Sequence, residues 1–326
     1  MSEQNYSESE QASTKDDGKP WERDVLEKLA FAALDEQKRA RRWGMLFKVA
    51  VLLYVVGVSL VAYYPFSEQT FSDDSKHTAV VDVNGVIFDG SMASAQIVIK
   101  GLRAAVKNEN TQGLIVQINS PGGSAVQADY IFKEIRRLKG ENPHLPIHAV
   151  VTDVCASGGY YIAAAADQIF VNPASLVGSI GVIMNGFGFV STMEKLGVER
   201  RLLVAGEHKA LLDPFSPVVE NEKDHVQDLL NNVHAQFINA VKKGRGDRLK
   251  SDSNLFSGLL WTGAQSIELG LADAEGDIRS VARDVVGAEK IVNFTPEESV
   301  FDLFAHKFGT LAGRLFHEMT GIRMQY

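Results

Sequence analysis

The sequence predicts an α/β protein in which a largely parallel sheet with flanking helices is preceded by one transmembrane helix. Three observations support this fold class. Short runs of β-branched and apolar residues alternate with helical patterns after residue 75. Two of these runs end in glycine-rich turns. A continuous apolar stretch, Leu46–Tyr64, lies upstream and is roughly long enough to cross a hydrocarbon core of ~30 Å.

The strands and helices of the main domain follow from hydrophobic periodicity. A long amphipathic helix is expected over Val218–Lys243, where apolar residues recur every three or four positions. Trp261–Asp273 is interpreted as the closing helix and strand of the domain. The expected strands are Ala79–Val83, Leu114–Ile118, Ile147–Thr152 and Gln168–Val171.

The amino-terminal part predicts a membrane anchor with a defined orientation. Residues 1–45 form a polar tail, which includes a short amphipathic helix over Trp21–Arg42, and residues 46–64 form the span. Basic residues lie just before the span and acidic residues follow it, so the positive-inside rule places the tail in the cytoplasm. We therefore expect the main domain, residues 75–290, to lie outside the cytoplasmic membrane, followed by an apolar carboxyl-terminal tail at residues 291–326.

Ser157 is the first candidate for a chemical role. The stretch Val151–Asp167 passes from a strand pattern through Ala-Ser-Gly-Gly into an alanine-rich helix pattern, which places the Ser157 hydroxyl at a strand-to-helix turn. Such a turn can expose a nucleophile beside unpaired backbone N–H groups. An ordinary helix N-cap is the alternative interpretation.

A second turn strengthens the catalytic interpretation. Gly113–Gly123 is a buried strand pattern that ends in Ser-Pro-Gly-Gly. If the two strands are adjacent and parallel, their turns face each other at the carboxyl edge of the sheet, where open α/β sheets place their sites. One turn then supplies the nucleophile and the other an amide for the oxyanion.

The candidate base is Lys209, in the irregular segment Val204–Pro217. A lysine amine accepts a proton only when it is neutral, and burial among apolar side chains favours the neutral form. We expect Glu207 and Asp213 to point away from it. None of the eight histidines lies in a recognisable acyl-transfer motif; they are His77, His144, His148, His208, His225, His234, His306 and His317. Cys155, the only cysteine, is expected to be a buried core residue.

Four ordered motifs resemble the bacterial signal peptide peptidase A family of Ser-Lys peptidases. The motifs are Asn119–Gly123, Ala156–Tyr161, Val177–Val182 and Gly206–Lys209, and the resemblance covers about residues 78–273. It implies a crotonase- or Clp-protease-like fold in which Ser157 is the nucleophile and Lys209 the general base. It further implies that Ser179 holds the lysine amine and that the amides of Gly123 and Gly158 form the oxyanion hole.

The resemblance also implies partners and a location. These are hydrophobic peptide substrates, including cleaved signal peptides, a ring-shaped homo-oligomer and the bacterial inner membrane. No cofactor or metal is expected. The net charge of −8, with no basic cluster beyond the membrane flank, gives no support to nucleic-acid binding. Two other classes stay open: an acyl-CoA enzyme of the crotonase type and a catalytically silent membrane scaffold.

Overall fold

The computed structural model describes residues 20–63 and 75–296 and divides the chain into two compact units, Met1–Ser72 and Asp73–Tyr326. The described residues of the first unit form one helix, α1, which runs from Pro20 to Tyr63. The boundary predicted at residues 45 and 46 therefore lies inside a continuous helix. Within the described residues, no helix has a stretch that is both long enough and apolar enough to cross a membrane. Residue 64, the end of the predicted span, lies outside those residues.

Residues 75–296 of the second unit form a sheet of eight strands. The strands are β1 His77–Asn84, β2 Thr111–Ser120, β3 Ile147–Ala156, β4 Ile169–Val171, β5 Leu176–Gly178, β6 Leu260–Thr262, β7 Ala274–Glu275 and β8 Ile291–Asn293. Their order is β6-β5-β3-β2-β1-β8, and β4 joins β3 to β7. Every pair is parallel except β5 with β6. The predicted largely parallel sheet is confirmed.

Helices cover this sheet as the alternating pattern predicted. They are α2 Ala95–Lys107, α3 Ala125–Glu141, α4 Gly158–Ala163, α5 Val190–Leu196, α6 Glu220–Arg245, α7 Gly263–Glu268 and α8 Ile278–Ser280, with a 3₁₀ turn at Gly246–Arg248 and a π-helical turn at Val281–Val286. The main core joins the sheet to the inner faces of α2, α3, α4 and α6. A smaller cluster, which includes Val150 and Phe170, contacts Val281 and Ala282 of the π-helical turn.

The structure extends the predicted domain at its carboxyl end. Strand β8 pairs in parallel with β1, so the sheet continues past residue 290, where the domain was predicted to end. The sequence pattern of β8 is only three residues long, which is too short for periodicity to identify. The remainder of the predicted apolar tail, from residue 297 onward, lies outside the described residues.

Strand β3 positions the candidate site. It pairs with β2 on one side; on the other it pairs first with β4, through Ala149 and Val150, and then with β5, through Val154–Ala156. The carboxyl ends of β2, β3 and β5 therefore lie side by side. The glycine-rich turn after β2, the Ser157 turn after β3 and Ser179 after β5 all emerge at this edge.

Candidate active site

Ser157 occupies the turn between β3 and α4 in a strained backbone conformation. Its φ is 50° and its ψ is −119°, a combination that non-glycine residues rarely adopt and that is typical of functional turns. The Ser157 amide donates to the Gly178 carbonyl at 2.8 Å, and the Ser157 carbonyl accepts from the Tyr161 amide at 2.9 Å. The side chain makes no capping hydrogen bond to α4. Ser157 is half-buried, and the geometry favours a hydroxyl that is available for chemistry over one that caps the helix.

The turn after β2 fits tightly against the Ser157 turn because of Gly122. The φ of Gly122 is +98°, and a Cβ at this position would lie 2.7 Å from both the Gly158 nitrogen and the Ser157 Cβ. The Ser120 hydroxyl supports the turn, since it accepts from the Gly122 amide at 3.1 Å and donates to the Gly85 carbonyl at 2.6 Å. A residue with a side chain at position 122 would push the two turns apart.

The two predicted oxyanion donors are neighbours. A Cβ built on Gly158 would lie 3.3 Å from the Gly123 nitrogen. Ile87 bonds to the peptide groups on either side of Gly123, through the Gly122 carbonyl and the Ser124 amide. No acceptor for the Gly123 amide is present among residues 75–296. Gly158 is the first residue of α4, so its amide has no helical acceptor either. Two adjacent amides are therefore available to an oxyanion.

Ser179 lies directly beside Ser157. Ala156 is paired with Gly178, so the residues that follow them, Ser157 and Ser179, leave the sheet together. Ser179 also has a positive φ, +51°, and its amide donates to the Leu259 carbonyl at 2.7 Å. The structure thus brings together four of the five predicted site residues.

Lys209 is the fifth predicted residue, and the structure does not join it to the others. It is exposed, lies in a turn in which its amide donates to the Gly206 carbonyl at 3.1 Å, and makes no described hydrogen bond with Ser157. The carboxylate of Asp213 is held by Arg200 at 3.0 Å. His208 pairs with Glu222 at 2.9 Å, and this hydrogen bond raises the pKa of the imidazole.

A cavity of about 340 Å³ opens beside Ser157, Gly123 and Gly158. Its far walls come from the first turns of α3 and from α6, including Val126, Val233 and Phe237. Among the described residues, no histidine lines it. The cavity also includes Asp129 and Tyr161, which sequence reasoning missed. The sequence did contain a signal for Asp129. Helical spacing places it on the same face of α3 as Ala125, one turn into the helix that follows Gly122 and Gly123.

Cys155 does not compete with Ser157 as a nucleophile. It is fully buried in the core, and burial raises the pKa of its thiol, so the reactive thiolate is disfavoured. The core role predicted for this cysteine agrees with its position on β3.

Together these features define a class: α/β proteins with a candidate serine nucleophile at a strand-to-helix turn beside a pair of backbone amides. Comparisons with known proteins agree with that class. The sequence model of peptidase family S49 matches residues 141–291. "Putative signal peptide peptidase SppA" of Enterococcus faecium is 30% identical over 68% of this chain and 67% of its own length. "Putative protease slr0021" of Synechocystis is 30% identical over 69% of this chain and 79% of its own.

A further relative carries a different name. The "Na(+)/H(+) antiporter NhaA" of Brucella abortus is 41% identical over 216 residues, which are 64% of this chain but only 29% of that protein. The shared segment is thus a minor part of the Brucella protein. The similarity to the signal peptide peptidase and to the Synechocystis protein covers most of each relative. The chain belongs to peptidase family S49, the family of the signal peptide peptidases.

Proposed function

We propose that the protein is a serine endopeptidase that cleaves hydrophobic peptides, including signal peptides released into the membrane. The observation that carries this proposal is the position of Ser157, in a strained turn with two adjacent amides, Gly123 and Gly158, next to it. Membership in a peptidase family favours this function over an acyl-CoA enzyme or a silent scaffold.

The proposed reaction follows from the groups at this edge of the sheet. The Ser157 hydroxyl oxygen attacks the carbonyl carbon of the scissile bond while its proton passes to the Lys209 amine. The carbonyl oxygen becomes an oxyanion that accepts from the Gly123 and Gly158 amides. The intermediate collapses to an acyl-enzyme as Lys209 returns the proton to the leaving amine. Water then attacks the acyl carbon as Lys209 takes its proton, and Lys209 returns that proton to the Ser157 oxygen as the bond to the acyl group breaks.

Lys209 must reach Ser157 for this reaction, and we propose that assembly of several copies brings it there. Residues 181–219, here called the apolar arm, expose many large side chains in the single chain; among the most exposed are Ile183 at 82%, Phe187 at 81% and Leu203 at 97%. An apolar surface of this kind marks an interaction site. A homo-oligomer that covers the apolar arm would also desolvate Lys209, which favours the neutral amine.

Two pairs of variants test the dyad. Ser157→Ala and Lys209→Ala should each abolish hydrolysis of casein and of fluorogenic peptides. Their controls, Ser257→Ala and Lys195→Ala, remove an exposed hydroxyl and another arm lysine and should stay active. Near wild-type hydrolysis by either dyad variant would contradict the mechanism. Light scattering that finds an active, stable monomer would contradict the assembly.

A mixture of the two inactive variants then shows whether Lys209 acts on Ser157 of its own chain or of another copy. If Lys209 acts on the Ser157 of another copy, a mixed oligomer of Ser157→Ala and Lys209→Ala chains regains activity, because some sites receive both groups. If each Lys209 acts on its own Ser157, the mixture stays inactive. Both results are compatible with Ser-Lys chemistry, and they distinguish the two arrangements of the oligomer.

We further propose that residues 46–64 anchor the protein in the bacterial inner membrane, with the tail in the cytoplasm and the catalytic domain outside. The apolar run and the basic residues before it support this topology. The single native thiol, Cys155, is fully buried, so a maleimide should label only the engineered cysteines. A membrane-impermeant maleimide on intact cells should label Ser251→Cys and not Glu36→Cys. The reverse pattern would overturn the orientation.

A further inference from the structure

The cavity beside Ser157 contains one charged group in an otherwise apolar and neutral wall. Val126, Val182, Val233 and Phe237 supply apolar surface, and Asp129 supplies a carboxylate. Among the described residues, no lysine, arginine or histidine lines the cavity. A side chain that enters from the reacting carbonyl would therefore meet apolar walls and a negative charge.

The Asp129 carboxylate is held in place from inside the domain. The Tyr161 hydroxyl donates to it at 3.1 Å. The Tyr161 ring is fixed in turn between Phe132, whose ring centroid is 5.4 Å away, and Phe237, at 5.0 Å. Burial, with a smaller contribution from Asp129, raises the pKa of Tyr161, so this hydroxyl keeps its proton at neutral pH. Asp129 is thus a positioned acceptor rather than a freely rotating surface carboxylate.

The existing cation partner of Asp129 lies outside the cavity. Lys133 contacts the second carboxylate oxygen at 2.6 Å from the next turn of α3, and its side chain is 70% exposed. An exposed pair of this kind contributes only ~0–1 kcal/mol. A cation that arrives through the cavity, shielded from water by apolar walls, can therefore compete with Lys133 for the carboxylate.

We propose that Asp129 determines specificity by selecting a lysine or arginine side chain on the acyl side of the scissile bond. The long aliphatic stem of such a residue would pack on the apolar walls while its charged end reaches the carboxylate. This inference rests on the proposed peptidase function and refines its substrate class. It fits the composition of signal peptides, which join a basic segment to an apolar one.

The test uses N-acetylated peptides that differ only at the acyl-side residue: lysine, norleucine or glutamate. Norleucine keeps an aliphatic stem and lacks the charge. The readout is the ratio of kcat/KM for the lysine peptide to kcat/KM for the norleucine peptide. Wild-type protein should prefer lysine and reject glutamate. Asp129→Asn should lower the ratio by roughly 10- to 100-fold, the loss expected for a charge-assisted hydrogen bond.

Two further variants make the test decisive. Lys133→Met removes the competing cation and should raise the ratio, and this variant decides the matter if Asp129→Asn fails to fold. Asp228→Asn, an exposed carboxylate on α6, is the matched control and should leave the ratio unchanged. A ratio that is the same in wild type, Asp129→Asn and Lys133→Met would overturn this inference while the peptidase function stands. Failure to hydrolyse any of the peptides would contradict the proposed function itself.

Discussion

The Ser157 amide donates to the Gly178 carbonyl at 2.8 Å, and this hydrogen bond ties the turn of the candidate nucleophile to the strand that leads into Ser179. Both serines have positive φ angles, 50° and 51°. Two adjacent strained turns at one edge of a parallel sheet are costly to fold, at about 1–3 kcal/mol each. Such strain persists where the surrounding structure holds it for a function.

Gly122→Ala should impair both activity and stability. The new Cβ would lie 2.7 Å from the Gly158 nitrogen and the Ser157 Cβ, at a φ of +98°, so the turn that carries Gly122 and Gly123 must move away from Ser157. We expect a large fall in kcat/KM and a loss of about 1–3 kcal/mol of unfolding free energy, measured by urea denaturation. Gly140→Ala is the control, since nothing lies within 4 Å of its Cβ. Wild-type activity in Gly122→Ala would show that the two turns need not touch.

Ser179→Ala should weaken catalysis less than Lys209→Ala does. Alanine also has a Cβ and pays the same backbone cost at a φ of +51°, so only the hydroxyl is lost, and with it the proposed hydrogen bond that orients the lysine amine. Loss of the base itself removes the roughly 10²- to 10⁴-fold contribution of general acid–base catalysis. Steady-state kcat/KM for both variants on one peptide makes the comparison. An equal loss in both would place Ser179 in the proton transfer.

Stability should fall in acid because of Glu134. Hydrogen bonds from Arg137 and Arg103 to this buried carboxylate lower its pKa to about 2 from its ordinary value of 4.5. The stabilisation is therefore complete above the unfolded-state pKa and is lost as the pH falls from about 5 to about 2. Glu134→Gln should cost about 1–3 kcal/mol at neutral pH and flatten this dependence.

Glu141→Gln is the matched control for the acid prediction. Glu141 contacts the same Arg137, but its side chain is 57% exposed, so a solvated pair should contribute little. Denaturant unfolding curves between pH 7 and pH 3 compare the two variants with wild type. An unchanged pH dependence in Glu134→Gln would assign the acid sensitivity to other carboxylates.

The features that were predictable from the sequence are those encoded locally. The turn at Ser157 and the glycine pair at Gly122 and Gly123 are marked by β-branched runs that break abruptly into glycine. Their adjacency followed from the rule that parallel strands share a carboxyl edge. Long elements such as α6 carry enough periodic positions to identify.

Features that depend on distant segments were not predictable. Arg245 is 2% exposed and binds the half-buried Asp273 at 2.7 Å, and this ion pair joins the end of α6 to the segment before β7. Nothing in the sequence around either residue distinguishes it from an exposed charged residue. Asp129 and Tyr161 meet for the same reason, through the packing of α3 on α4. The three-residue strand β8 is defined by its pairing with β1, which periodicity does not record.

Covalent labelling of Ser157 tests the central claim most directly. A fluorophosphonate probe reacts with a serine only when a base activates its hydroxyl and an oxyanion site holds the adduct. Wild-type protein, incubated with the probe and digested, should carry one phosphonate, located by mass spectrometry on Ser157. Labelling should be lost in Ser157→Ala and Lys209→Ala and retained in Ser257→Ala. A wild-type protein that stays unlabelled, or an adduct on another residue that persists in Ser157→Ala, would contradict the account.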